Sequence, residues 1–390
     1  MRTRNLTQNL LACLTASAIL ATFAAAQGAD VKPAKGARAP ADSAPGAQVH
    51  VPNRPSTSLF QGEQGKQKTE IYFDPATQVV TVKMLVQDPN GYFIPNIRRD
   101  NFAVYENGTR QHNATVEIEH APVSLAVLME WGGRYQALNK ALADEVPRAA
   151  HQVLDELGRQ DKVAIFRYGD RVDRLADFSS GHEALDGLFT GLNRPEFSEL
   201  NFYDALTSTL GYMKPVNGRK AVILISSGID TFSKAKYEDV LSTARDCGTP
   251  IYVVNLGPKL RESVEYSSNE GPYARLDWKR AEHELQEIAK ASGGRLYSPG
   301  SIFDLSGVYD DIMENLRVRY VITYKSNDDR DLSATRTVRV ELVDSRTGGP
   351  LEIVDANGKP VRSKIFVEDS YIPRSASVAS VNTTSKAQQE

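Results

Sequence analysis

Residues 123–135 have the sequence Val-Ser-Leu-Ala-Val-Leu-Met-Glu-Trp-Gly-Gly-Arg-Tyr. The part from Val123 to Met129 is almost uniformly apolar, and this pattern predicts a strand that is buried on both faces of a sheet. Two consecutive glycines, Gly132 and Gly133, then predict a tight turn, and a helical pattern follows. A buried strand that leads through a turn into a helix is typical of an α/β sheet with mostly parallel strands.

The same alternation of short apolar runs and helical segments continues to about residue 317. Continuous apolar runs between helices indicate strands that are covered on both faces. The sequence therefore predicts an α/β domain at residues 122–317, with a doubly wound, mostly parallel sheet. Its predicted strands are 125–129, 163–168, 221–225, 251–256 and 295–297, and its predicted helices are 136–157, 203–213, 237–247, 276–292 and 302–317.

One connection in this domain is unusually long. Residues 259–275 follow the fourth predicted strand and contain few apolar residues. We predict a long loop that borders the carboxyl end of the sheet, because loops of this length are often functional or mobile.

On both sides of the α/β domain, apolar and polar residues alternate with a period of two. Turn sequences interrupt these runs at 88–91 (Asp-Pro-Asn-Gly) and at 355–358 (Asp-Ala-Asn-Gly), as is typical of hairpins. Each flanking segment is too small to bury a core alone. We therefore predict that residues 67–121 and 318–373 form one small β-sandwich into which the α/β domain is inserted.

The N-terminus has the features of a secretory signal peptide. Arg2 and Arg4 precede an apolar run at 10–23, and the small residues 24–26 fit a cleavage site. The run is short for a membrane anchor, which needs about 20 apolar residues. We predict that residues 1–26 are removed, that the mature chain has no membrane span, and that it is exported to the periplasm or the cell exterior.

Composition limits the properties of the remaining segments. Residues 27–66 and 374–390 are rich in small and polar residues, which predicts a disordered linker and a disordered tail. The mature chain would retain one cysteine, Cys247, so it could form no internal disulfide. The formal net charge of -3 and the absence of a Lys/Arg run argue against a nucleic-acid partner.

Several motifs resemble those of one family. The pattern Val-x-Met-x-Val-x-Asp-x-x-Gly at 82–91, followed by Asp-x-Phe-x-Val-x-Glu-Asn-Gly at 100–108, resembles the start of the VWFA-related proteins of acidobacterial type. Tyr-Asp-Ala-Leu at 203–206 and Ser-Ser-Gly-Ile-Asp-Thr at 226–231 resemble motifs of the von Willebrand factor type A domain. The resemblance covers about residues 70–325. It implies a mostly parallel sheet flanked by helices and a role in binding another protein, often through a bound cation.

In that family the turn after the first strand carries Asp-x-Ser-x-Ser, which gives a carboxylate and two hydroxyls to a divalent cation. A Thr and an Asp from two further loops complete the cation site, and such oxygen ligands suit Mg²⁺ or Ca²⁺. This sequence departs from the pattern at every position, where it has Glu130, Gly132, Arg134, Leu200 and Ser227.

The substitutions argue against a bound metal. A guanidinium about 4 Å from a cation repels it by about 4 kcal/mol per unit charge, which corresponds to about three decades of affinity. We therefore predict no cofactor. The alternative is a substituted Mg²⁺ or Ca²⁺ site that uses Glu130, Ser198 and Ser227.

The resemblance implies that the carboxyl end of the sheet contacts a protein partner, which the sequence does not identify. The predicted binding residues are Glu130, Trp131 and Arg134, with Ser227 and Asp230 behind them. Two roles remain open for Arg134: it binds a partner carboxylate in place of the cation, or it pairs with a carboxylate of this chain. Trp131 likewise either contacts the partner or packs on neighbouring helices.

Catalytic motifs are absent from the sequence. His283-Glu284 lacks the second histidine of a zinc-protease helix, and the serines before Gly228 lack the Gly-x-Ser-x-Gly pattern. We therefore predict a non-enzymatic protein-binding or adhesion module. The alternatives are a metal-dependent adhesion module, a structural component of the cell envelope and an envelope hydrolase.

Overall fold

A computed structural model of the chain describes most of the residues between 49 and 373. The described residues are 49–50, 69–88, 93–133, 136, 140–180, 185, 187–189, 192, 195, 197–266, 277–301, 304–328, 331–355, 357–361 and 366–373. All of them belong to one compact unit, Val31–Glu390. The predicted signal peptide and tail lie outside the described residues, as does the predicted linker apart from residues 49–50.

The described residues contain sixteen strands. In chain order they are β1 (Val49–His50), β2 (Glu70–Asp74), β3 (Val79–Met84), β4 (Phe102–Glu106), β5 (Thr109–Arg110), β6 (Thr115–His120), β7 (Val123–Glu130), β8 (Lys162–Tyr168), β9 (Val172–Ala176), β10 (Arg219–Ser226), β11 (Ile251–Asn255), β12 (Arg295–Tyr297), β13 (Val318–Lys325), β14 (Arg336–Leu342), β15 (Ile353–Val354) and β16 (Phe366–Tyr371).

Six α-helices accompany these strands in the described part of the chain, together with one 3₁₀ turn at Arg99–Asn101. None of these helices has the length and apolar character needed to cross a membrane. The helices are α1 (Lys140–Asp155), α2 (Phe202–Met213), α3 (Tyr237–Asp246), α4 (Gly257–Tyr266), α5 (Trp278–Ser292) and α6 (Leu305–Arg317).

The α/β part is built on a six-stranded sheet in the order β12-β11-β10-β7-β8-β9. Neighbouring strands are parallel, except that β9 runs antiparallel to β8. β7 and β10 lie side by side at the centre, with Leu128 opposite Leu224. The chain enters the sheet at β7, extends it first to β8 and β9, and then adds β10, β11 and β12 on the other side. This order is that of a doubly wound sheet.

Helices cover both faces of this sheet. Leu125, Val127 and Met129 of β7 belong to a buried cluster with residues of α1 and α6. Ala126 and Leu128 belong to a second cluster, with residues of α2, α3 and α5. Consecutive side chains of a strand alternate between its faces, so a strand buried on both faces needs the continuous apolar sequence found in β7.

Two antiparallel four-stranded sheets, in the orders β2-β3-β13-β6 and β16-β14-β4-β5, and the short parallel pair β1-β15 hold the remaining described strands. Each combines strands from before and after the α/β part: β3 pairs with β13, and β4 pairs with β14. Their inward side chains share one buried cluster that includes Val82, Val104, Ile322 and Val340. The predicted fold class is therefore confirmed, with a mostly parallel α/β sheet and a β-sandwich drawn from both flanking segments.

The predicted disordered linker requires a correction at two residues. Val49 and His50 form β1, which pairs in parallel with Ile353–Val354. Val49 is buried in the sandwich cluster. A strand of two residues is too short to show a periodic sequence pattern. Its position is determined by pairing with a strand that is distant in the sequence.

Two corrections concern the α/β part. The predicted long loop at 259–275 begins as a helix, since α4 covers Gly257–Tyr266, and residues 267–276 lie outside the described part. β9 was not predicted, because only Ala176 of its residues is buried and the strand has no apolar run. An edge strand of this kind is held by backbone pairing with β8 rather than by burial.

Candidate functional site

The carboxyl ends of β7 and β10 meet where the strand order of the α/β sheet reverses. β7 ends at Glu130 and β10 ends at Ser226. Open α/β sheets generally bind ligands in the crevice at this point. We call the loops around it the carboxyl-end face, and its described residues are 131–133, 169–171, 197–201 and 227–236.

Glu130 is fully buried, and its carboxylate accepts hydrogen bonds from several neighbouring groups. Oε2 accepts from the backbone N–H of Ser227 at 2.8 Å, from Ser227 Oγ at 2.7 Å and from the Tyr168 hydroxyl at 3.1 Å. Ser226 Oγ lies 3.4 Å from the same oxygen. Oε1 accepts from Gln136 Nε2 at 3.3 Å. Both carboxylate oxygens therefore already have donors from this chain.

These contacts set the protonation behaviour of the buried pair Glu130 and Tyr168. Burial raises the pKa of the Glu130 carboxyl, and the hydrogen bonds from Ser227, Tyr168 and Ser226 oppose that rise. Burial also raises the pKa of Tyr168 well above its usual value, and the nearby charge of Glu130 adds to the rise. The Tyr168 hydroxyl therefore remains protonated, and it lies 2.7 Å from Ser226 Oγ. One polar network joins the ends of β7, β8 and β10.

Gln136 stabilises the turn that follows β7. Its Nε2 donates to the backbone carbonyl of Glu130 at 3.1 Å, and its Oε1 accepts from the backbone N–H of Gly132 at 3.2 Å. The backbone N–H of Trp131 donates to the carbonyl of Tyr168 at 2.7 Å. Gln136 is almost completely buried. Its side-chain amide therefore holds the turn from the interior of the protein, through hydrogen bonds to Glu130 and Gly132.

Ser198 places its hydroxyl where a side chain at position 132 would begin. A Cβ added to Gly132 would overlap Ser198 Oγ, and a Cβ added to Gly169 would lie 2.7 Å from it. The hydroxyl also accepts a hydrogen bond from the backbone N–H of Gly133 at 3.3 Å. Gly132 and Gly169 thus form a glycine notch that Ser198 fills, and the notch exists because neither residue has a side chain.

Leu200 connects two loops of the carboxyl-end face. Its side chain is buried against Gly133, where an added Cβ would lie 3.1 Å from Cδ1. Its backbone N–H donates to Thr231 Oγ1 at 2.8 Å, and its carbonyl accepts from the backbone N–H of Thr231 at 2.8 Å. These contacts hold the loop at 197–201 against the loop at 227–236.

Two aspartates of this region stabilise the backbone. Asp230 Oδ1 accepts from the backbone N–H of Tyr203 in the first turn of α2 at 3.2 Å, and Oδ2 accepts from that of Ser233 at 3.3 Å. Asp204 accepts from the backbone N–H groups at 234–235, at 3.0 and 2.8 Å. Side chains that satisfy the free N–H groups of a helix start act as caps. Both carboxylates therefore have structural partners.

The structure brings some of the predicted binding residues together. Glu130 and Ser227 are in direct contact, and Asp230 lies on the loop that follows Ser227. Trp131 is half-buried and packs against the buried cluster that contains residues of α1 and α6. Arg134 lies outside the described residues, so both of its open roles remain predictions.

The described groups do not fit a divalent cation. A hard cation needs several oxygen lone pairs directed at it, whereas donors from this chain surround the carboxylate of Glu130. Ser227 Oγ donates to that carboxylate, Ser198 Oγ occupies the glycine notch, and Leu200 has no side-chain oxygen. In the part of the chain that the structure describes, His, Cys, Asp and Glu side chains form no group of three or more that could hold a metal.

No protein-family model matches the chain, and no curated protein matches it. Among solved structures, the chain is similar to proximal thread matrix protein 1 of the mussel byssus, with 15% identity, a TM-score of 0.40, and 55% of this chain and 51% of that chain covered. The chain thus spans about half the length of that protein.

Two further solved structures are similar to this chain at comparably low sequence identity. An aerotolerance-related membrane protein of Bacteroides fragilis has 15% identity and a TM-score of 0.35, with 50% of this chain and 98% of that chain covered. The ArnB paralog VWA2 of Sulfolobus acidocaldarius has 12% identity and a TM-score of 0.37, with 69% and 74% covered. Another structure of the byssus protein holds zinc at its metal-ion-dependent adhesion site.

The α/β part is von Willebrand A-like, which confirms the predicted resemblance at the level of the fold, and its strand order and doubly covered sheet are those of a doubly wound fold. At these identities and TM-scores, the comparisons carry no argument about the site. The properties of the site follow from its own contacts.

Sequence reasoning missed two residues of the polar network. Tyr168 is the polar residue at the carboxyl end of the strand next to β7, and its position at that strand end was the available signal. Gln136 had no comparable signal, because a glutamine at the start of a predicted helix is usually exposed. Ser198 was a ligand only in the alternative of a substituted cation site, and its hydroxyl lies in the glycine notch.

Proposed function

We propose that this chain is an exported, non-enzymatic module that binds another protein through the carboxyl-end face of its von Willebrand A-like domain, without a bound metal. The observation that carries the proposal is the closed polar network at the switch point, where Glu130, Ser227 and Tyr168 satisfy one another. The position is that of a ligand-binding crevice, and its contacts stabilise the surrounding loops instead of exposing reactive groups.

Rigidity of these loops supports a binding role. Gln136 fixes the turn after β7, Ser198 fills the glycine notch, and the Leu200–Thr231 pair joins two of the loops. A surface that is already ordered loses little conformational entropy when a partner binds, so more of the contact energy contributes to affinity.

The donor arrangement supports the proposal that no metal is required. A cation bound to Oε2 of Glu130 would have to displace the backbone N–H of Ser227, whose nitrogen lies 2.8 Å from that oxygen. That N–H would then be buried without a partner, at a cost of about 1–3 kcal/mol. We therefore expect neither Mg²⁺ nor Ca²⁺ to stabilise the protein.

This expectation is tested by the thermal unfolding midpoint of the mature chain in EDTA and in millimolar Mg²⁺, Mn²⁺ or Ca²⁺. A ligand that binds only the native state raises the midpoint, so we expect no ion-dependent shift. A rise that Glu130→Ala abolishes would instead support the metal-dependent adhesion module and contradict this part of the proposal.

The binding surface is tested by site-specific photo-crosslinking in the source cells. A photoreactive amino acid replaces Glu199, which is exposed on the carboxyl-end face, and in a matched strain it replaces Lys359, which is exposed on the sandwich. We expect a protein adduct from position 199 and none from position 359. Adducts from position 359 alone, or from neither position, would contradict the proposal. Arg134→Ala in the first strain then separates the two roles open for Arg134, since loss of the adduct favours contact with a partner carboxylate.

A further inference from the structure

A cleft of about 460 Å³ opens on the outer face of the sandwich sheet that contains β4, β5 and β14. Phe102 and Val104 of β4 face the buried cluster of the sandwich, so Ala103 and Tyr105 lie on the opposite face of the strand. Both of these residues line the cleft. Pockets for small ligands have volumes of about 300–1,000 Å³. We call this cavity the sandwich cleft.

Hydrogen bonds hold the backbone around the sandwich cleft in place. Asn101 Nδ2 donates to the carbonyl of Val343 at 2.8 Å, and the backbone N–H of Val343 donates to the carbonyl of Asn101 at 2.8 Å. The backbone N–H of Asp344 donates to the carbonyl of Gly349, and that of Gly348 donates to the carbonyl of Asp344, each at 2.8 Å. The rim is therefore formed before a ligand arrives, which lowers the entropic cost of binding.

Several polar groups of the lining are available to a ligand. Asp344 Oδ1 accepts from the backbone N–H groups at 346–347, at 2.8 and 3.3 Å. Within the described part of the chain, Asp344 Oδ2 accepts no hydrogen bond, and the Tyr105 hydroxyl, the Arg110 guanidinium and the Ser345 hydroxyl form no hydrogen bond or ion pair. The sandwich cleft thus offers both donors and acceptors.

Charges of both signs surround the sandwich cleft. Two carboxylates, Asp100 and Asp344, and one guanidinium, Arg110, line it. Further charged side chains lie beside these residues or beside Tyr105, and they are Arg98, Arg99, Arg339, Glu341 and Arg346. An anion would meet the carboxylates of the lining, and a cation would meet its guanidinium. Neutral hydroxyl groups avoid both penalties, because a hydroxyl donates to a carboxylate and accepts from a guanidinium.

The lining also has an apolar part. Ala103 is 2% exposed although it lies on the outer face of its sheet, which places it at the bottom of the sandwich cleft. Tyr105 is half-buried, and the Arg339 guanidinium lies 4.9 Å from the centre of its ring. An apolar base beside polar groups suits a molecule that has a C–H surface and hydroxyl groups around its edge. A saccharide ring has this arrangement.

We propose that the sandwich cleft binds a neutral saccharide. Its hydroxyl groups donate to Asp344 and accept from Arg110, and its C–H surface packs on Tyr105. This site goes beyond the proposed function and is independent of it, because no residue of the carboxyl-end face takes part.

The test begins with an array of neutral and acidic glycans that is probed with the fluorescently labelled mature chain. We expect binding to neutral glycans. The dissociation constant of one bound neutral oligosaccharide is then measured by isothermal titration calorimetry in about 0.05 M and about 0.5 M NaCl. It should be almost the same at both salt concentrations, since salt screens interactions between charges and this ligand has none.

Substitutions locate the bound oligosaccharide. Tyr105→Ala and Asp344→Asn should each weaken binding by about tenfold, and the asparagine retains an oxygen that can accept from the backbone N–H groups at 346–347. Tyr72→Ala, at an exposed tyrosine of the other sandwich sheet, and Asp170→Asn, at an exposed aspartate of the α/β part, should leave the dissociation constant unchanged. Circular dichroism verifies that each variant is folded.

Three outcomes would overturn the proposal. The first is an array on which no neutral glycan is bound, and the second is binding that neither Tyr105→Ala nor Asp344→Asn weakens. The third is binding confined to acidic glycans with a steep salt dependence, which would indicate attraction to the surrounding arginines instead. The proposed function is judged separately, because the crosslink from position 199 does not involve the sandwich cleft.

Discussion

At the scale of single residues, a side chain from one loop fills the space beside a glycine of another loop. Gly132 has no side chain, and Ser198 from a different loop fills the vacated volume. This contact keeps the turn packed, because protein interiors tolerate few voids. Hydrogen-bond donors of this chain likewise surround the carboxylate of Glu130.

The glycine notch leads to a prediction for Gly132→Ala. The new methyl group would overlap Ser198 Oγ, so the free energy of unfolding should fall by about 1–3 kcal/mol, as is usual for overpacking. Adding Ser198→Gly should restore part of this loss, and a double-mutant cycle in urea should show a coupling of about 0.5–3 kcal/mol.

Gly211→Ala is the matched control for this cycle. Gly211 lies inside α2 with open space where a Cβ would be, so alanine there should be neutral or stabilising. Strictly additive effects of the substitutions at positions 132 and 198 would show that Ser198 does not fill the notch.

At the scale of secondary-structure elements, the start of α2 depends on a residue far away in sequence. The N-cap residue of α2, Asn201, makes no side-chain cap. Asp230, from the loop after β10, accepts the hydrogen bond from the backbone N–H of Tyr203 instead. One carboxylate therefore joins the helix to the 227–236 loop, where it also binds Ser233.

Asp230→Ala should consequently reduce the free energy of unfolding by about 1–2 kcal/mol, the usual effect of losing a helix cap. Chemical denaturation measures this loss, and hydrogen exchange should show faster opening of the first turn of α2. Asp170→Ala is the control, since Asp170 is exposed in a neighbouring loop. Equal stability of the two variants would mean that Asp230 is not a cap and is free to contact a partner.

Elements also differ in how well the sequence predicts them. The strands β7, β8, β10 and β11 are continuous apolar runs and were predicted, because strands covered on both faces need such runs. β9 and β1 were not, because backbone pairing determines them. α4 was interpreted as part of a loop, since Leu260 is its one buried residue among those whose side chains are described.

At the scale of the whole molecule, the chain passes between the sandwich and the α/β part twice, from β6 to β7 and from α6 to β13. Arginines are concentrated at these crossings. Arg219 pairs with Glu119, and Arg317 forms a buried ion pair with Asp161. Burial, together with the nearby Arg219, lowers the pKa of the Arg319 guanidinium to about 10.

His120, at the end of β6, makes the stability of this junction dependent on pH. Burial lowers its pKa below the usual 6.5, and Arg219 and Arg317 lower it further. The unfolded chain therefore binds a proton at His120 more readily than the folded chain does. The resulting contribution to stability is complete above pH 6.5 and is lost as the pH falls through the folded-state pKa.

We expect the free energy of unfolding, measured in urea at a series of pH values, to decrease below about pH 6.5. His120→Gln should flatten this part of the profile, and His112→Gln, at an exposed site, should leave it unchanged. An acid-induced loss of stability that is the same in the wild type and in His120→Gln would assign it to other groups.

Apolar patterns in the sequence predicted the fold class and the strand ends at which the candidate site lies. Apolar periodicity depends on whether a segment is covered on one face or on two, so it distinguishes the α/β strands from the flanking hairpins. It also places Glu130 and Ser227 at adjacent strand ends, because parallel strands end at the same edge of the sheet.

The contacts of those residues depend on segments that are distant in the sequence. The hydrogen bonds of Tyr168 and Gln136 to Glu130, the position of Ser198 in the glycine notch and the capping role of Asp230 all join groups from separate segments of the chain. The exposure of Phe197 and Phe232 is of the same kind, because an apolar residue in a loop is buried or exposed according to what packs over it. Such contacts depend on distances of a few tenths of an ångström between loops, and no pattern within one segment specifies them.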